Sequence, residues 1–238
     1  MTVVDERYRA ICIKCKRVFK AEATTFQCPY WGALLELELD LSSTELSLSK
    51  LVRRPRSVWR YRELLPTIEK RFIVSLCEGG TPHIPLHSGG KVFVKHEGLN
   101  PTGSFKDRGM TVGISIARKL GFRGVIVAST GNTAASASAY AARAGLDCYV
   151  LVPKDGVSRG KLAQVALHGA RIVEVEGFFD RALELAMKSM DTLLDYGVYP
   201  LNSFNAWRLE GQKTIAYEIF EDLGAPDFVI VPVGNAGN

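Results

Sequence analysis

Residues 100–109 read Asn-Pro-Thr-Gly-Ser-Phe-Lys-Asp-Arg-Gly, which places Lys106 between a turn and the start of a helix, with Asp107 and Arg108 beside it. A lysine in that setting is either a solvated surface charge or a nucleophilic amine ready to capture a carbonyl. On position alone the surface charge is the better reading, and only the rest of the chain can reverse it.

Residues 129–133, Ser-Thr-Gly-Asn-Thr, open an alanine-rich helix. Hydroxyls and unpaired N–H groups at the positive end of a helix suit a carboxylate, or simply cap the helix. Residues 157–161, Val-Ser-Arg-Gly-Lys, start another helix with two cations, fit either for a doubly charged phosphate or for solvent. Gly234, Asn235, Ala236, Gly237 and Asn238 follow an apolar run, and small residues with free N–H groups either cradle a phosphate or make a plain turn. Neither a Walker loop nor G-x-G-x-x-G occurs in the chain.

An amine, a phosphate loop, a carboxylate loop and a further cationic loop together serve one chemistry. They suit a lysine working with a phosphate-bearing aldehyde cofactor on a substrate that carries a carboxylate. Pyridoxal 5'-phosphate is that cofactor, the electron sink for carbanions at an amino-acid α carbon. The extra cationic loop points to a substrate with a phosphate of its own.

A second constellation lies near the N-terminus. Cys12-Ile-Lys-Cys15 and Cys28-Pro-Tyr-Trp31-Gly32 have the form of paired zinc-ribbon knuckles, which offer four thiolate or imidazole ligands to a tetrahedral ion. Trp31 stands at the fourth position, and the four histidines, His83, His87, His96 and His168, are distant in sequence. Cys12, Cys15 and Cys28 therefore read as an incomplete zinc site, and a ribbon-shaped segment without metal is the expectation. Cys77 and Cys148 bring the cysteines to an odd total, which suits reduced thiols better than a disulfide framework.

The elements that must position these groups follow from periodicity. Residues 34–41 alternate apolar residues with Glu36, Glu38 and Asp40, as a half-exposed strand does. From residue 73 onward strands and helices alternate. The pattern predicts strands over 91–95, 124–128, 147–152, 171–176, 198–201 and 228–233, and helices over 107–120, 134–144, 159–167, 178–195 and 207–223. Such alternation predicts a mostly parallel sheet with helices on both faces, in which ligands bind beyond the carboxyl ends of the strands. Every loop singled out above, and 202–205 with Asn202 and Asn205, follows a predicted strand.

Composition bounds the rest. The net charge of +5 arises within residues 1–72, where 14 Lys/Arg face 9 Asp/Glu, and the remainder is balanced. That balance argues against a nucleic-acid surface in the larger part. Residues 59–62, Trp-Arg-Tyr-Arg, lie in the basic part and could serve nucleic-acid stacking, but a packing segment with solvated charges is the better reading, since Glu63, Leu64 and Leu65 follow at once. No apolar run is long enough for a membrane span and the first ten residues lack a signal-like apolar region, so a soluble, cytoplasmic chain is expected. Asparagine and glutamine are scarce outside the candidate loops, a pattern that suits a thermophile.

With residues 209–219, Leu-Glu-Gly-Gln-Lys-Thr-Ile-Ala-Tyr-Glu-Ile, and residues 59–66 and 78–82, the motifs above occur in an order that closely resembles threonine synthases of the fold type II pyridoxal-phosphate enzymes. The resemblance implies an α/β, two-domain architecture with parallel open sheets flanked by helices. It assigns 1–72 to the ribbon-like segment, 73–98 with 202–238 to a larger domain, and 99–201 to a smaller one. It implies that Lys106 is the catalytic lysine that holds the cofactor, that Asn132 meets the cofactor's phenolic oxygen, and that residues 234–238 hold its phosphate. Ser129, Thr130 and Thr133 would take the substrate carboxylate; Ser158, Arg159 and Lys161, with Asn202 or Asn205, its phosphate. The implied reaction converts O-phospho-L-homoserine and water to L-threonine and phosphate in a homodimer. Relatives continue past Asn238, so the resemblance also implies a C-terminally truncated chain with its larger domain incomplete. A dehydratase or cysteine synthase of the same fold type, or a non-catalytic relative binding nucleic acid or protein through 1–72, are the other readings.

Overall fold

The computed structural model describes residues 3–42, 44–87, 90–154 and 159–233, leaving aside the side chains of Leu48, Arg159 and Phe179. In chain order the strands are β1 (Tyr8–Cys12), β2 (Val18–Lys20), β3 (Leu35–Leu39), β4 (His83–Pro85), β5 (Phe93–Lys95), β6 (Gly124–Ala128), β7 (Asp147–Pro153), β8 (Arg171–Val175) and β9 (Val198–Pro200). The helices are α1 (Leu48–Val52), α2 (Lys106–Lys119), α3 (Asn132–Ala144), α4 (Arg159–Leu167), α5 (Phe179–Lys188), α6 (Met190–Asp195), α7 (Ala206–Gln212) and α8 (Thr214–Leu223).

The centre is a parallel sheet in the order β8-β7-β6-β9. Strand β6 lies inside it and is buried along its whole length, which explains the unbroken Gly-Val-Ile-Val-Ala run. Successive residues serve opposite faces. Val125 and Val127 join Val150 and Val152 against the small residues of α3, while Ile126, Ala128 and Leu151 meet Ala182 and Ala186 of α5. Register pairs Ala128 with Leu151 and Ile126 with Pro200, so the loops after β6, β7 and β9 leave from one edge.

An antiparallel sheet, β2-β1-β3, forms the N-terminal segment and docks on the β9–α7 connection. Trp207 Nε1 donates to the Glu22 carbonyl (3.0 Å), Tyr199 donates to the Ala23 carbonyl (2.8 Å), and Tyr8 meets Trp207 edge to face at 5.2 Å. The basic aromatic segment is used for packing: Trp59 Nε1 donates to Thr111 Oγ1 (2.8 Å), and Arg60 and Tyr61 both bind Glu221 (2.5 Å each). No helix among the described residues is long and apolar enough to cross a membrane.

Three expected elements differ. Residues 178–195 are two helices, because Ser189 leaves helical angles at φ −93°, ψ 10°. Residues 207–223 divide at Lys213, where Thr214 Oγ1 donates to the Gly211 carbonyl (2.7 Å) and competes with the helix ladder. Residues 228–233 form no strand. They lie exposed, Ile230 at 95%, with no neighbouring strand among the described residues.

Candidate active site

Lys106 is the first residue of α2, and the loop before it is held from several sides. Asn100 donates through Nδ2 to the Glu97 carbonyl (2.9 Å) and carboxylate (2.8 Å), while its Oδ1 accepts from Gly79 N–H (2.9 Å). The two charged neighbours of Lys106 are turned elsewhere. Asp107 accepts from Thr102 N–H (2.7 Å), Thr102 Oγ1 (2.5 Å) and Ser136 Oγ (2.5 Å), tying the loop to α3. Burial raises its pKa, opposed by the Ser136 and Thr102 bonds. Arg108 donates to Glu97 (2.7 Å) and Glu218 (2.7 Å).

Without a carboxylate partner among the described residues, the half-buried Lys106 amine responds to its surroundings. Burial first, and the charge of Arg208 second, push its pKa down to about 8. Its Nζ lies 3.9 Å from the centre of the Phe105 ring. Near neutral pH such an amine has an appreciable uncharged, nucleophilic fraction.

Arg208 was not singled out from the sequence, and it is the most informative side chain here. It is fully buried on α7, with Nη1 donating to the Leu201 carbonyl (3.3 Å) and Nε without a partner among the described residues. Burial alone lowers its pKa to about 10. One turn later Gln212 also keeps both amide atoms buried and unpartnered. Glycines bring this face onto α2: a Cβ at Gly109 would sit 2.9 Å from Arg208 Cγ, and one at Gly211 would sit 2.0 Å from the Arg108 carbonyl. Those glycines were the available signal, since they mark a close helix crossing, but nothing in the sequence tells which side chains the crossing buries.

Loop 129–133 enters α3, and Gly131 caps it without a side-chain bond. Ser129 Oγ accepts from Gly131 N–H (3.2 Å), whereas Thr130, Asn132 and Thr133 have no side-chain partner among the described residues. The first turn of a 13-residue helix thus keeps its orphan N–H groups. Lys161 reaches from α4 to the Lys106 loop, its Nζ 3.5 Å from the Thr102 carbonyl and about as near Gln164 Oε1, at 3.4 Å.

The side chains of Asn202 and Asn205 both bond to backbone. Asn202 exchanges two bonds with the Ala128 backbone (2.9 and 2.8 Å), and Asn205 caps α7 at Arg208 N–H (3.3 Å) while donating to the Pro200 carbonyl (2.9 Å). Both amides thereby brace the turn into α7, the helix that carries Arg208. Ser158, the Arg159 side chain, and Gly234, Asn235, Ala236, Gly237 and Asn238 lie outside the described residues. The three ribbon thiols, Cys12, Cys15 and Cys28, come together with their Sγ atoms within 4.8 Å of one another.

Residues 74–238 match the model of a family described as pyridoxal-phosphate dependent enzyme. Threonine synthase of Methanocaldococcus jannaschii is 49% identical over 237 residues, covering 95% of this chain and 58% of that protein. Its counterpart in Methanosarcina acetivorans is 44% identical over 240 residues, covering 97% and 58%. The chain spans less than two thirds of either relative. Among solved structures, O-acetyl serine sulfhydrylase isoform 3 from Entamoeba histolytica is similar with a TM-score of 0.59 and 26% identity, covering 72% of this chain and 55% of that one.

Proposed function

Given that the chain belongs to the pyridoxal-phosphate dependent enzymes, we propose that the protein carrying it is a threonine synthase, converting O-phospho-L-homoserine and water to L-threonine and phosphate. The carrying observation is Arg208: a buried guanidinium with an unpartnered Nε, close enough to Lys106 to depress its pKa. A buried cation without a counter-ion among the described residues is costly unless an anion arrives, and a guanidinium's planar fork suits a phosphate as well as a carboxylate.

When bound, the cofactor supplies an aldehyde for amines and an electron sink for a carbanion at the substrate's α carbon. The residues present fit that group, since Lys106 offers a half-buried amine with pKa about 8 and Asn132 a side chain without a partner among the described residues. Lys106 Nζ would take the proton from the substrate's Cα and carry protons at Cβ. The hydroxyls of Ser129, Thr130 and Thr133, with the α3 N–H groups, hold the substrate carboxylate. Arg208 and Lys161, with Ser158 and Arg159, hold its phosphate and stabilise charge as that group leaves. Residues 234–238 are assigned to the cofactor phosphate. Asn202 and Asn205 keep Arg208 in place.

The test is a joint assay of products with the full-length protein and pyridoxal phosphate. Phosphate and L-threonine should form one to one from O-phospho-L-homoserine, and Lys106→Ala should abolish both. Turnover of L-threonine or O-acetyl-L-serine with no reaction of the phosphorylated substrate would instead establish a dehydratase or a cysteine synthase.

A further inference from the structure

The three thiols of the N-terminal sheet take part in no step above, yet two copies of one turn bring them together. In the first, Cys12 N–H donates to the Arg17 carbonyl (3.0 Å), Lys16 N–H donates back to the Cys12 carbonyl (3.0 Å), and Lys16 takes φ 58°. In the second, Cys28 N–H donates to the Ala33 carbonyl (2.7 Å), Gly32 N–H donates to the Cys28 carbonyl (2.8 Å), and Gly32 takes φ 60°. The pattern is the same at the same offsets, and a lysine accepts left-handed backbone angles to keep it. Cys15 holds the fourth place of the first turn and Trp31 that of the second.

Cys15 Sγ lies 3.9 Å from Cys28 Sγ. A disulfide requires about 2.05 Å. Two Zn–S bonds of about 2.3 Å at a tetrahedral angle place their sulfurs about 3.8 Å apart. Cys15 N–H also points at Cys12 Sγ (3.4 Å), as a donor stabilising a thiolate would. The Trp31 indole does not fill the missing place: it is 56% exposed and lies under Lys14 Nζ, 4.2 Å from its ring centre. Three thiolates around a divalent ion leave one net negative charge, and Lys14, Lys16 and Arg17 belong to the same first turn.

We propose that Cys12, Cys15 and Cys28 bind one zinc ion as three thiolates, with the fourth tetrahedral position held by water beside Trp31. Three S–H protons pass to solvent as the three Zn–S bonds form. The sheet so tied is the one that packs on Trp207 and Tyr199, so the ion fastens the support of the helix that carries Arg208. The expectation of a metal-free ribbon rested on counting four ligands; a site with three protein ligands and an open position needs only the three present.

Reduced, chelator-treated protein without pyridoxal phosphate is titrated with Co²⁺ as a visible probe and then with Zn²⁺. The expected result is one equivalent of Co²⁺ with tetrahedral d–d and sulfur charge-transfer bands, displaced by Zn²⁺. Cys15→Ser, at the half-exposed ligand, abolishes the bands and Cys77→Ser leaves them unchanged. Thiol labelling of the unsubstituted protein covers the case in which Cys15→Ser fails to fold: Zn²⁺ should slow three of the five thiols. Octahedral or absent Co²⁺ bands, bands that survive in folded Cys15→Ser, a site filled by Cu⁺ and not by Zn²⁺, or labelling unchanged by Zn²⁺ would each overturn the assignment.

Discussion

Arg108 and Arg208 lie at the same helix crossing, both fully buried, yet their surroundings are opposite. Arg108 is met by Glu97 and Glu218 with Thr81 and Thr214 behind them; burial works to lower its pKa, and Glu218 and Glu97 outweigh it and raise it. Arg208 is met by one carbonyl, and burial lowers its pKa to about 10. The first cation is satisfied within the fold and locks α2 to α8 and to the turn at Thr81. The second keeps an Nε that is buried and without a partner among the described residues, where burial of the charge is uncompensated. The same residue type is thus satisfied within the fold on one side of the crossing and left with a buried donor without a partner among the described residues on the other.

The largest expected effect breaks the satisfied side. Arg108→Met strands Glu218 and Glu97 and should cost about 3–5 kcal/mol of stability, read as a fall in denaturation midpoint. On the other side, Arg208→Met retains the methylene packing over Gly109 and should leave the melting temperature unchanged or higher. Its kcat/KM for O-phospho-L-homoserine should fall about 10²–10³-fold, the usual cost of one preorganised charge donor.

Acid should separate the two sides as well. Glu218 has its pKa lowered to about 2: burial works to raise it, and the Arg108 bonds, then Lys95, overcome that effect. Its stabilisation is complete above its unfolded value, about 4.5, and is lost as pH falls from there toward 2. Urea midpoints measured across that window should drop in the parent and stay flatter in Glu218→Gln. The smallest effect concerns Lys106. The rate at which the apoprotein takes up pyridoxal phosphate should rise with pH through about 8 and then level, and Arg208→Met should move that inflection upward, since Arg208 is the second cause of the lowered value.

Much of this was legible in the sequence where local pattern and structure coincide. Strands β6 to β9, the helix that follows Lys106 and the mostly parallel sheet followed from periodicity, while Lys106 stood out only beside the other loops and the motifs that carry the resemblance. Arg208 was not legible, because its burial depends on how Gly109 and Gly211 let two distant helices meet. Asn202 and Asn205 were legible as loop residues, while their bonds to the Ala128 and Pro200 backbone depend on register between β6 and β9. The run at 228–233 carried strand-like residues, but strand formation needs a neighbour to hydrogen-bond with, which residue types do not reveal.

The most direct test compares kcat/KM for O-phospho-L-homoserine and for O-acetyl-L-serine in the parent protein and in Arg208→Met. The account predicts a parent that strongly prefers the phosphorylated substrate and a variant in which that preference collapses about 10²-fold or more, with its melting temperature retained. A variant that keeps the preference, or that loses both activities together with stability as Arg108→Met does, would contradict it.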